Sequence, residues 1–199
     1  CYRHSLGAIV TRTEFLHQFH HLRLTRREPD YPLKAEARPA AVLIPLLDYG
    51  DKLHVLLTER AHHLRHHPGQ ISFPGGAVEE SDETVVEAAM REANEEIGLP
   101  RQNVEVIGLL PSYRTVSRYK VAPVIGFVDP NFQPQLDANE VESAFEVPLA
   151  HLLDRRNHLV HTTHRDKRPF PIYFIPWQDK MIWGVTAAIL RNLSHHIHP

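Results

Sequence analysis

The stretch that decides the fold is "GQISFPGGAVEESDETVVEAAMREANEEIGLP", which covers residues 69–100. It joins a Pro-Gly-Gly turn to a segment dense in carboxylates. The apolar residues of that segment recur every three or four positions, at Val86, Met90, Ala93 and Ile97. This spacing predicts an amphipathic helix from about Glu83 to Ile97, because such residues share one helix face. Ser81 or Asp82 is the expected N-cap, and Gly98 is the expected terminator.

Three glutamates, Glu92, Glu95 and Glu96, lie three and four residues apart on another face of this helix. Like charges at that spacing destabilise an isolated helix by about 0.2–0.5 kcal/mol per pair. Solvent around an acidic surface is the common explanation for such a face. A divalent cation is the second explanation, because Mg²⁺ and Mn²⁺ prefer carboxylate oxygens as ligands.

The residues around the glutamates favour the cation. Gly75 and Gly76, then Glu83, then "REANEEIGL" (residues 91–99) together resemble the Nudix box. The resemblance implies an α/β fold, the Nudix-type α/β/α sandwich with a mixed β-sheet between helices. It also implies divalent-metal-dependent hydrolysis of a nucleoside diphosphate linked to another moiety. The turn after Gly76 holds one extra residue, which leaves open whether Asp82 or Glu83 supports Arg91.

The resemblance to the Nudix box also implies roles for single residues. Glu92 and Glu96 match the principal ligands of Mg²⁺ or Mn²⁺, and Glu95 matches a further ligand or the general base. Arg91 matches the residue that braces the loop through a salt bridge. The carbonyl oxygen of Gly76 is expected to reach a metal as well.

Two residues outside the box allow two interpretations each. Glu140, in "DANEVESAFEVPL" (residues 137–149), is a solvated loop acid by default. In several Nudix enzymes, however, a glutamate of such a loop is the catalytic base, and that role is the alternative. Trp183 lies on the predicted last helix, and a core position is expected for it rather than stacking on a ligand.

A second signature stands upstream of the box. "LLTERAHHLRHHPGQISFPGG" (residues 56–76) resembles the coenzyme A pyrophosphatase branch of the Nudix family. The resemblance implies cleavage of the coenzyme A diphosphate into 3′,5′-ADP and 4′-phosphopantetheine. Arg60 and Arg65 are then expected to contact phosphates, since guanidinium groups bind them in bidentate fashion. Gln70 and Ser72 are expected to line the cleft.

Three alternatives to this interpretation stay open. Surface salt bridges are the ordinary role of arginines such as Arg60 and Arg65. A Nudix hydrolase of another substrate, such as ADP-ribose or NADH, would need no upstream signature. A non-catalytic nucleotide-binding domain is the third, although such a domain would be expected to lose some of the box carboxylates.

Histidines are frequent, with 16 in the chain, and two pairs spaced by four occur in "AHHLRHHPG" (residues 61–69). On a helix, this spacing could bind zinc. Pro68 and Gly69 close the segment at once, however, so a loop with incidental histidines is expected instead.

Composition sets the remaining expectations. A formal net charge of −2 gives no general reason to bind nucleic acid or an acidic membrane. No apolar run reaches the length that spans a bilayer, and the first residues have too short an apolar core for a signal peptide. The one cysteine, Cys1, forms no intrachain disulfide. These features predict a cytoplasmic protein. The resemblance to Nudix hydrolases implies a small-molecule substrate.

The order of predicted elements gives a helical extension over residues 1–35 and a Nudix domain over residues 36–199. A helix is expected over residues 11–26, with a capping box and an apolar face that would suit a homodimer. Two apolar strands around Tyr49-Gly50-Asp51 predict a hairpin. The proline-interrupted run "RPFPIYFIPW" (residues 168–177) is typical of an edge strand.

Overall fold

A computed structural model describes residues 11–21, 27–32, 36–165 and 168–198. The helices are α1 (Arg12–Phe19), α2 (Val85–Ile97), α3 (Leu149–Leu153) and α4 (Val185–Ile197), with 3₁₀ turns at Arg101–Asn103 and Arg155–Asn157. The strands are β1 (Arg38–Asp48), β2 (Leu53–Arg60), β3 (Ile71–Ser72), β4 (Gly75–Ala77), β5 (Val104–Leu109), β6 (Tyr113–Arg114), β7 (Tyr119–Val128), β8 (Val141–Pro148), β9 (Leu159–Arg165), β10 (Arg168–Trp177) and β11 (Lys180–Trp183).

The larger sheet is mixed. Its central path runs β3-β2-β1-β7-β5, while β4 pairs with β1, β6 with β7 and β8 with β2. β1 and β7 are parallel over their whole length, and the other pairs are antiparallel. The predicted hairpin is confirmed, since Asp48 lies opposite Leu53 across the turn. Gly50 has a φ of +86° there, which a residue without a side chain adopts easily.

Both faces of β1 are buried, which makes the sheet the middle layer. Leu43 and Leu47 point towards α2, whereas Ile44 and Leu46 join the second core cluster with α3 and α4. The strand therefore reads as a continuous apolar run, because neither face meets water. Each fully buried leucine or isoleucine contributes about 1.5–3 kcal/mol. The predicted α/β/α sandwich with a mixed sheet is thus what the chain forms.

Helix α2 begins later than predicted. Thr84 is its N-cap, and the Thr84 hydroxyl accepts a hydrogen bond of 3.2 Å from the backbone of Glu87. The prediction of Ser81 or Asp82 as N-cap is wrong, because the Asp82 carboxylate instead accepts hydrogen bonds from Arg91 and from the backbone N–H of Glu79. The end is as expected, since Gly98 adopts φ +68° and donates its N–H to the last turn.

Helix α1 packs on its own chain. The predicted capping box is present between Thr11 and Glu14. Phe15 and Phe19 are buried in the core cluster that includes α4, and their rings stack at 5.6 Å. The apolar face considered for a homodimer is therefore turned inward. Residues 22–26 of the predicted longer helix lie outside the described residues, and the domain boundary at residue 36 stays a prediction.

The smaller sheet has the order β11-β10-β9, so β10 is a central strand and the predicted edge position is wrong. The prolines of β10 are tolerated because each neighbouring strand, β9 or β11, pairs with only part of β10. Pro169 and Pro171 lie in the half of β10 that has no β11 residue beside it. Pro176 lies beyond the last residue that pairs with β9. No proline therefore removes an interstrand hydrogen bond in this sheet.

Among the helices that the structure describes, none combines the length and the apolar character that crossing a membrane requires.

Candidate active site

The glycine turn brings the backbone of β4 against helix α2. A Cβ atom on Gly76 would overlap the carboxylate of Glu92, and one on Gly75 would overlap the backbone carbonyl of Ala41. β4 pairs with β1 at these positions, so the turn is fixed to the central sheet. Only glycine permits both approaches, which explains why the turn stands directly before the acidic helix.

Glu96 is the most unusual carboxylate of the protein. Its residue is 4% exposed, and its Oε2 atom is the one buried side-chain polar atom, among those described, without a hydrogen-bond partner. Burial, together with the charges of Glu92 and Glu140, raises the pKa of Glu96 to about 8, although the charge of Arg60 opposes them. Burial also raises the pKa of Glu92, against the influence of Arg91. The carboxylates of Glu92 and Glu96 are thus close enough to influence each other, and the pKa of each is raised.

Arg91 ties the loop before α2 to the helix. Its guanidinium donates to both carboxylate oxygens of Asp82, at 3.1 and 2.9 Å, and to the carbonyl of Ala77 at 3.0 Å. A further bond of 2.9 Å reaches Glu92. The pairing raises the pKa of Arg91 and lowers that of Asp82. The acid that pairs with Arg91 is therefore Asp82, one residue before Glu83.

The two candidate bases differ in position. The Glu95 side chain is 59% exposed and lies 3.3 Å from Arg91. Glu140 is exposed at the start of β8, and its carbonyl accepts a hydrogen bond of 2.9 Å from Ala61. The charge of Glu140 contributes to the raised pKa of both Glu92 and Glu96, so its carboxylate is close enough to the pair to act on it electrostatically.

The upstream signature forms the loop between β2 and β3. Backbone hydrogen bonds of 3.0 Å from Arg60 to Gln70 and from Gly69 to Arg60 close it. The charge of Arg60 lowers the pKa of Glu96 and so opposes the effect of burial, which shows that Arg60 and Glu96 are within electrostatic reach of each other. Ser72 is half-buried, and its carbonyl accepts from Thr58. Arg65 is exposed on the loop, away from the hydrogen bonds that close it.

The histidine-rich segment forms turns within this loop, as expected, and not a helix. The spacing that would suit zinc on a helix therefore has no structural basis. The ring of His63 lies 3.1 Å from the carbonyl of Asn139, and His62 lies 3.4 Å from Glu59. Over the described ranges, no three His, Cys, Asp or Glu side chains converge on one point as they stand.

The acidic pair nevertheless fits a magnesium-type ion. Mg²⁺ usually takes one or two carboxylates from the protein and completes its octahedral shell with waters and substrate phosphates. Glu92 and Glu96 supply two such groups, and the unpartnered Oε2 of Glu96 is an oxygen that a cation would satisfy. A positive charge would also relieve the repulsion that raises both pKa values.

Sequence reasoning missed a second set of polar and aromatic residues on the α4 side of the sheet. Trp183 was expected in the core of the last helix, but it ends β11, is 41% exposed and stacks on Phe174. Glu28 is buried and binds Tyr173, although it precedes the predicted Nudix domain. An acid in a proline-containing connection carries no periodic signal, so the sequence offered no means of finding it.

The sandwich and its glycine-preceded acidic helix define the Nudix fold class. The model for the NUDIX domain matches residues 37–170, and the chain belongs to the Nudix hydrolase family. It is 39% identical over 189 residues to the "Uncharacterized Nudix hydrolase NudL" of Shigella flexneri serotype 5b, covering 94% of this chain and 95% of that protein. The Salmonella paratyphi B protein of the same designation is 41% identical over 160 residues, covering 80% and 83%.

A solved structure gives the same fold. The Nudix hydrolase RenU of M. smegmatis aligns with a TM-score of 0.51 at 21% identity, covering 67% of this chain and 84% of that one. The predicted family and fold class are therefore confirmed. Nudix hydrolases act on the pyrophosphate bond of nucleoside diphosphate derivatives and generally use divalent metal ions, and this chain is such a hydrolase.

Proposed function

We propose that this Nudix hydrolase cleaves the diphosphate of coenzyme A or its thioesters and yields 3′,5′-ADP and 4′-phosphopantetheine. The upstream signature supports this substrate. The observation that carries the proposal is the position of Arg60, whose charge acts on the buried carboxylate of Glu96. Arg60, to which the resemblance assigns phosphate binding, would therefore meet a diphosphate held at the acidic pair.

Glu92 and Glu96 would hold Mg²⁺ or Mn²⁺, with the Gly76 carbonyl as a further donor. When bound, the ion supplies charge neutralisation for the diphosphate and a water of lowered pKa. The protein keeps Glu92 in place through Arg91, which binds Glu92 and Asp82 at once. The brace matters because a ligand displaced by about 1 Å loses much of its catalytic effect.

A carboxylate base would take one proton from the attacking water. The new P–O bond forms as the bridging P–O bond breaks, and the proton remains on the base until the products leave. We favour Glu140 for this role, because its charge acts on both Glu92 and Glu96 and its side chain is exposed to the attacking water. Glu95 is the second candidate, although its side chain lies beside Arg91.

Arg60 and Arg65 would bind phosphate groups of the substrate, and Gln70 and Ser72 would line the cleft. Coenzyme A carries a 3′-phosphate in addition to its diphosphate, so it presents more negative charge than ADP-ribose does. The exposed position of Arg65 suits a contact with the 3′-phosphate, which projects away from the scissile bond. We place the reaction in the cytoplasm, since one cysteine suits a reducing compartment.

A substrate panel tests the proposal. The values of kcat/KM for coenzyme A, 3′-dephospho-coenzyme A, ADP-ribose and NADH are measured with Mg²⁺ and with Mn²⁺. Coenzyme A is expected to be the best substrate. A preference for ADP-ribose or NADH would refute the coenzyme A assignment and keep the hydrolase. Tight nucleotide binding without turnover of any of the four would indicate a non-catalytic domain.

The variant Arg65→Ala tests the proposed 3′-phosphate contact. It is expected to raise KM about tenfold for coenzyme A and to leave KM for 3′-dephospho-coenzyme A nearly unchanged. Arg156→Ala is the matched control, since Arg156 is 89% exposed and pairs with Asp154 on a distant 3₁₀ turn. Equal losses on both substrates would remove Arg65 from the 3′-phosphate.

A further inference from the structure

A cavity of about 340 Å³ opens on the α4 side of the sheet. Its walls come from several places in the chain, among them Thr163 of β9. The others are Tyr31, the end of the β2–β3 loop at Gln70, β6 with the loop that follows it, and the neighbouring parts of β10, β11 and α4. Cavities of this size with aromatic walls and a few polar groups are typical of small-molecule sites.

Much of this cavity is built outside the part of the chain that the family model covers. The model matches residues 37–170, whereas Tyr31 precedes that range and Tyr173, Trp183 and Val185 follow it. These walls therefore lie outside the residues that the family model matches. A feature of this kind is expected to select a substrate rather than to perform the common reaction.

Glu28 holds the added N-terminal wall in place. Its side chain is 3% exposed and accepts hydrogen bonds from the Tyr173 hydroxyl, and from Arg191 and His195 at 2.7 Å each. Its backbone N–H donates to Asn192 at 2.8 Å. Burial raises the pKa of Glu28, but these hydrogen bonds outweigh it and lower the pKa overall. A buried, fully paired carboxylate fixes the backbone on which Tyr31 sits three residues later.

Tyr31 is then fixed from its other side. Its backbone N–H donates to the carbonyl of Arg114 at 3.2 Å, and the Asp30 side chain accepts from the backbone of Arg114 at 3.1 Å. The Tyr31 ring meets Phe170 edge-on at 5.3 Å. The wall is therefore preorganised, which lowers the entropy that a ligand must lose on binding.

The cavity and the acidic pair meet at the end of the β2–β3 loop. Gln70 lines the cavity, and its carbonyl accepts the backbone N–H of Arg60 at 3.0 Å. Arg60 in turn acts on Glu96. Gly184 has a φ of +65°, and a Cβ there would lie 3.6 Å from the Gln70 amide nitrogen, so the Gln70 side chain lies against the start of α4 at the cavity wall. A substrate bound at the acidic pair can extend past Gln70 into the cavity.

The chemistry of the walls decides which end of such a substrate enters. The lining residues that the structure describes include one Lys or Arg side chain, Arg114, and no carboxylate. The bisphosphorylated adenosine end of coenzyme A would lose its hydration there without enough cations to compensate. The other end is a neutral chain with two amides and a terminal sulfur. Apolar rings would cover its methylene groups, and Gln70, Thr115 and Ser117 would bind its amides.

We infer that this cavity receives the pantetheine arm of coenzyme A, with Tyr31 as a contact residue and Glu28 as its positioning residue. The inference rests on the proposed function. It adds that this enzyme selects its substrate by the neutral arm, at a site built from segments outside the matched domain.

Binding of pantetheine itself tests the inference without any turnover. The probe is the intrinsic fluorescence of Trp183, recorded in EDTA during a titration with pantetheine. A saturable change is expected in the wild-type protein and its absence in Trp183→Phe, which keeps Trp177 as the background signal. Tyr31→Ala is expected to weaken binding about tenfold. Adenosine 3′,5′-bisphosphate is expected not to compete.

Two further measurements keep the test decisive. Thr163→Phe narrows the cavity from a half-buried strand position, so it is expected to weaken pantetheine binding even if Tyr31→Ala is poorly folded. In turnover, both variants are expected to raise KM for coenzyme A with little change in kcat.

Hydrolysis of coenzyme A without pantetheine binding would overturn the inference and spare the proposed function. Competition by the bisphosphate would overturn it by assigning the cavity to the nucleotide. Pantetheine binding without hydrolysis would support the cavity and refute the activity.

Discussion

Replacing Glu96 by Gln is expected to remove a pH-dependent loss of stability from the metal-free protein. Glu96 is 4% exposed, one of its oxygens has no hydrogen-bond partner among the described residues, and its pKa is raised to about 8. An ionised carboxylate in that position has lost its hydration and faces the charges of Glu92 and Glu140. Glutamine has nearly the same shape and carries no charge at any pH.

Proton linkage gives the sign and the size of the effect. The ordinary pKa of this side chain is 4.5, so the folded protein binds the proton more tightly than the unfolded chain does. Between about pH 4.5 and pH 8, the wild-type protein therefore loses stability as the pH rises. At about 1.4 kcal/mol per pH unit, its free energy of unfolding is expected to fall by about 3 kcal/mol relative to Glu96→Gln between about pH 5.5 and pH 9.

Urea unfolding in EDTA at several pH values measures this difference. Glu95→Gln is the matched control, because the Glu95 side chain is 59% exposed and is solvated in both states. The control is expected to follow the wild type, and Mg²⁺ is expected to flatten the curves of both but not that of Glu96→Gln. Parallel curves for the wild type and Glu96→Gln would show that Glu96 does not hold a buried proton, and the reasoning for the acidic pair would fail.

Three other changes have defined outcomes. Gly76→Ala should reduce metal-dependent turnover at least tenfold while the fold persists, because the new methyl group displaces the flexible Glu92 side chain. Gly75→Ala should instead lower the melting temperature, because its methyl group would overlap the backbone carbonyl of Ala41. Asp82→Asn should lower the free energy of unfolding by about 2 kcal/mol near neutral pH. Because the pKa of Asp82 is lowered, its carboxylate stabilises the folded protein above about pH 4 and loses this effect in more acidic solution. A difference in free energy of unfolding between the wild type and Asp82→Asn that is the same at every pH would contradict the pairing with Arg91. Glu140→Gln should reduce kcat at least a hundredfold, and unchanged kcat would return the role of base to Glu95.

Local chemistry made the acidic helix predictable. Its apolar spacing, its C-terminal glycine and its three glutamates all act within one or two turns, so a reader of the sequence finds them together. The N-cap was missed because Asp82 had two possible partners. The tertiary structure gives its carboxylate to Arg91 and leaves the capping role to Thr84. When a side chain can fill two local roles, its tertiary contacts decide which role it takes, and the local sequence does not reveal those contacts.

The long-range features were the ones that sequence reasoning missed. The prolines of β10 indicated an edge, but a central strand tolerates them where its partners are short. Trp183 resembled a core residue because a large apolar side chain usually is one. Glu28 forms its contacts more than 140 residues further along the chain, with Tyr173, Arg191 and His195. No periodicity links positions that far apart.

The most direct test of the central claim is an analysis of the products after incubation of the wild-type protein and Glu96→Gln with coenzyme A. Each protein is incubated with Mg²⁺, with Mn²⁺ and with EDTA, and the nucleotides are separated by chromatography. The predicted result is equal amounts of 3′,5′-ADP and 4′-phosphopantetheine from the wild type with metal, with little from the variant or in EDTA. The same products at the same rate from Glu96→Gln, or from the wild type in EDTA, would contradict the assignment of this acidic pair as a metal-dependent catalytic site.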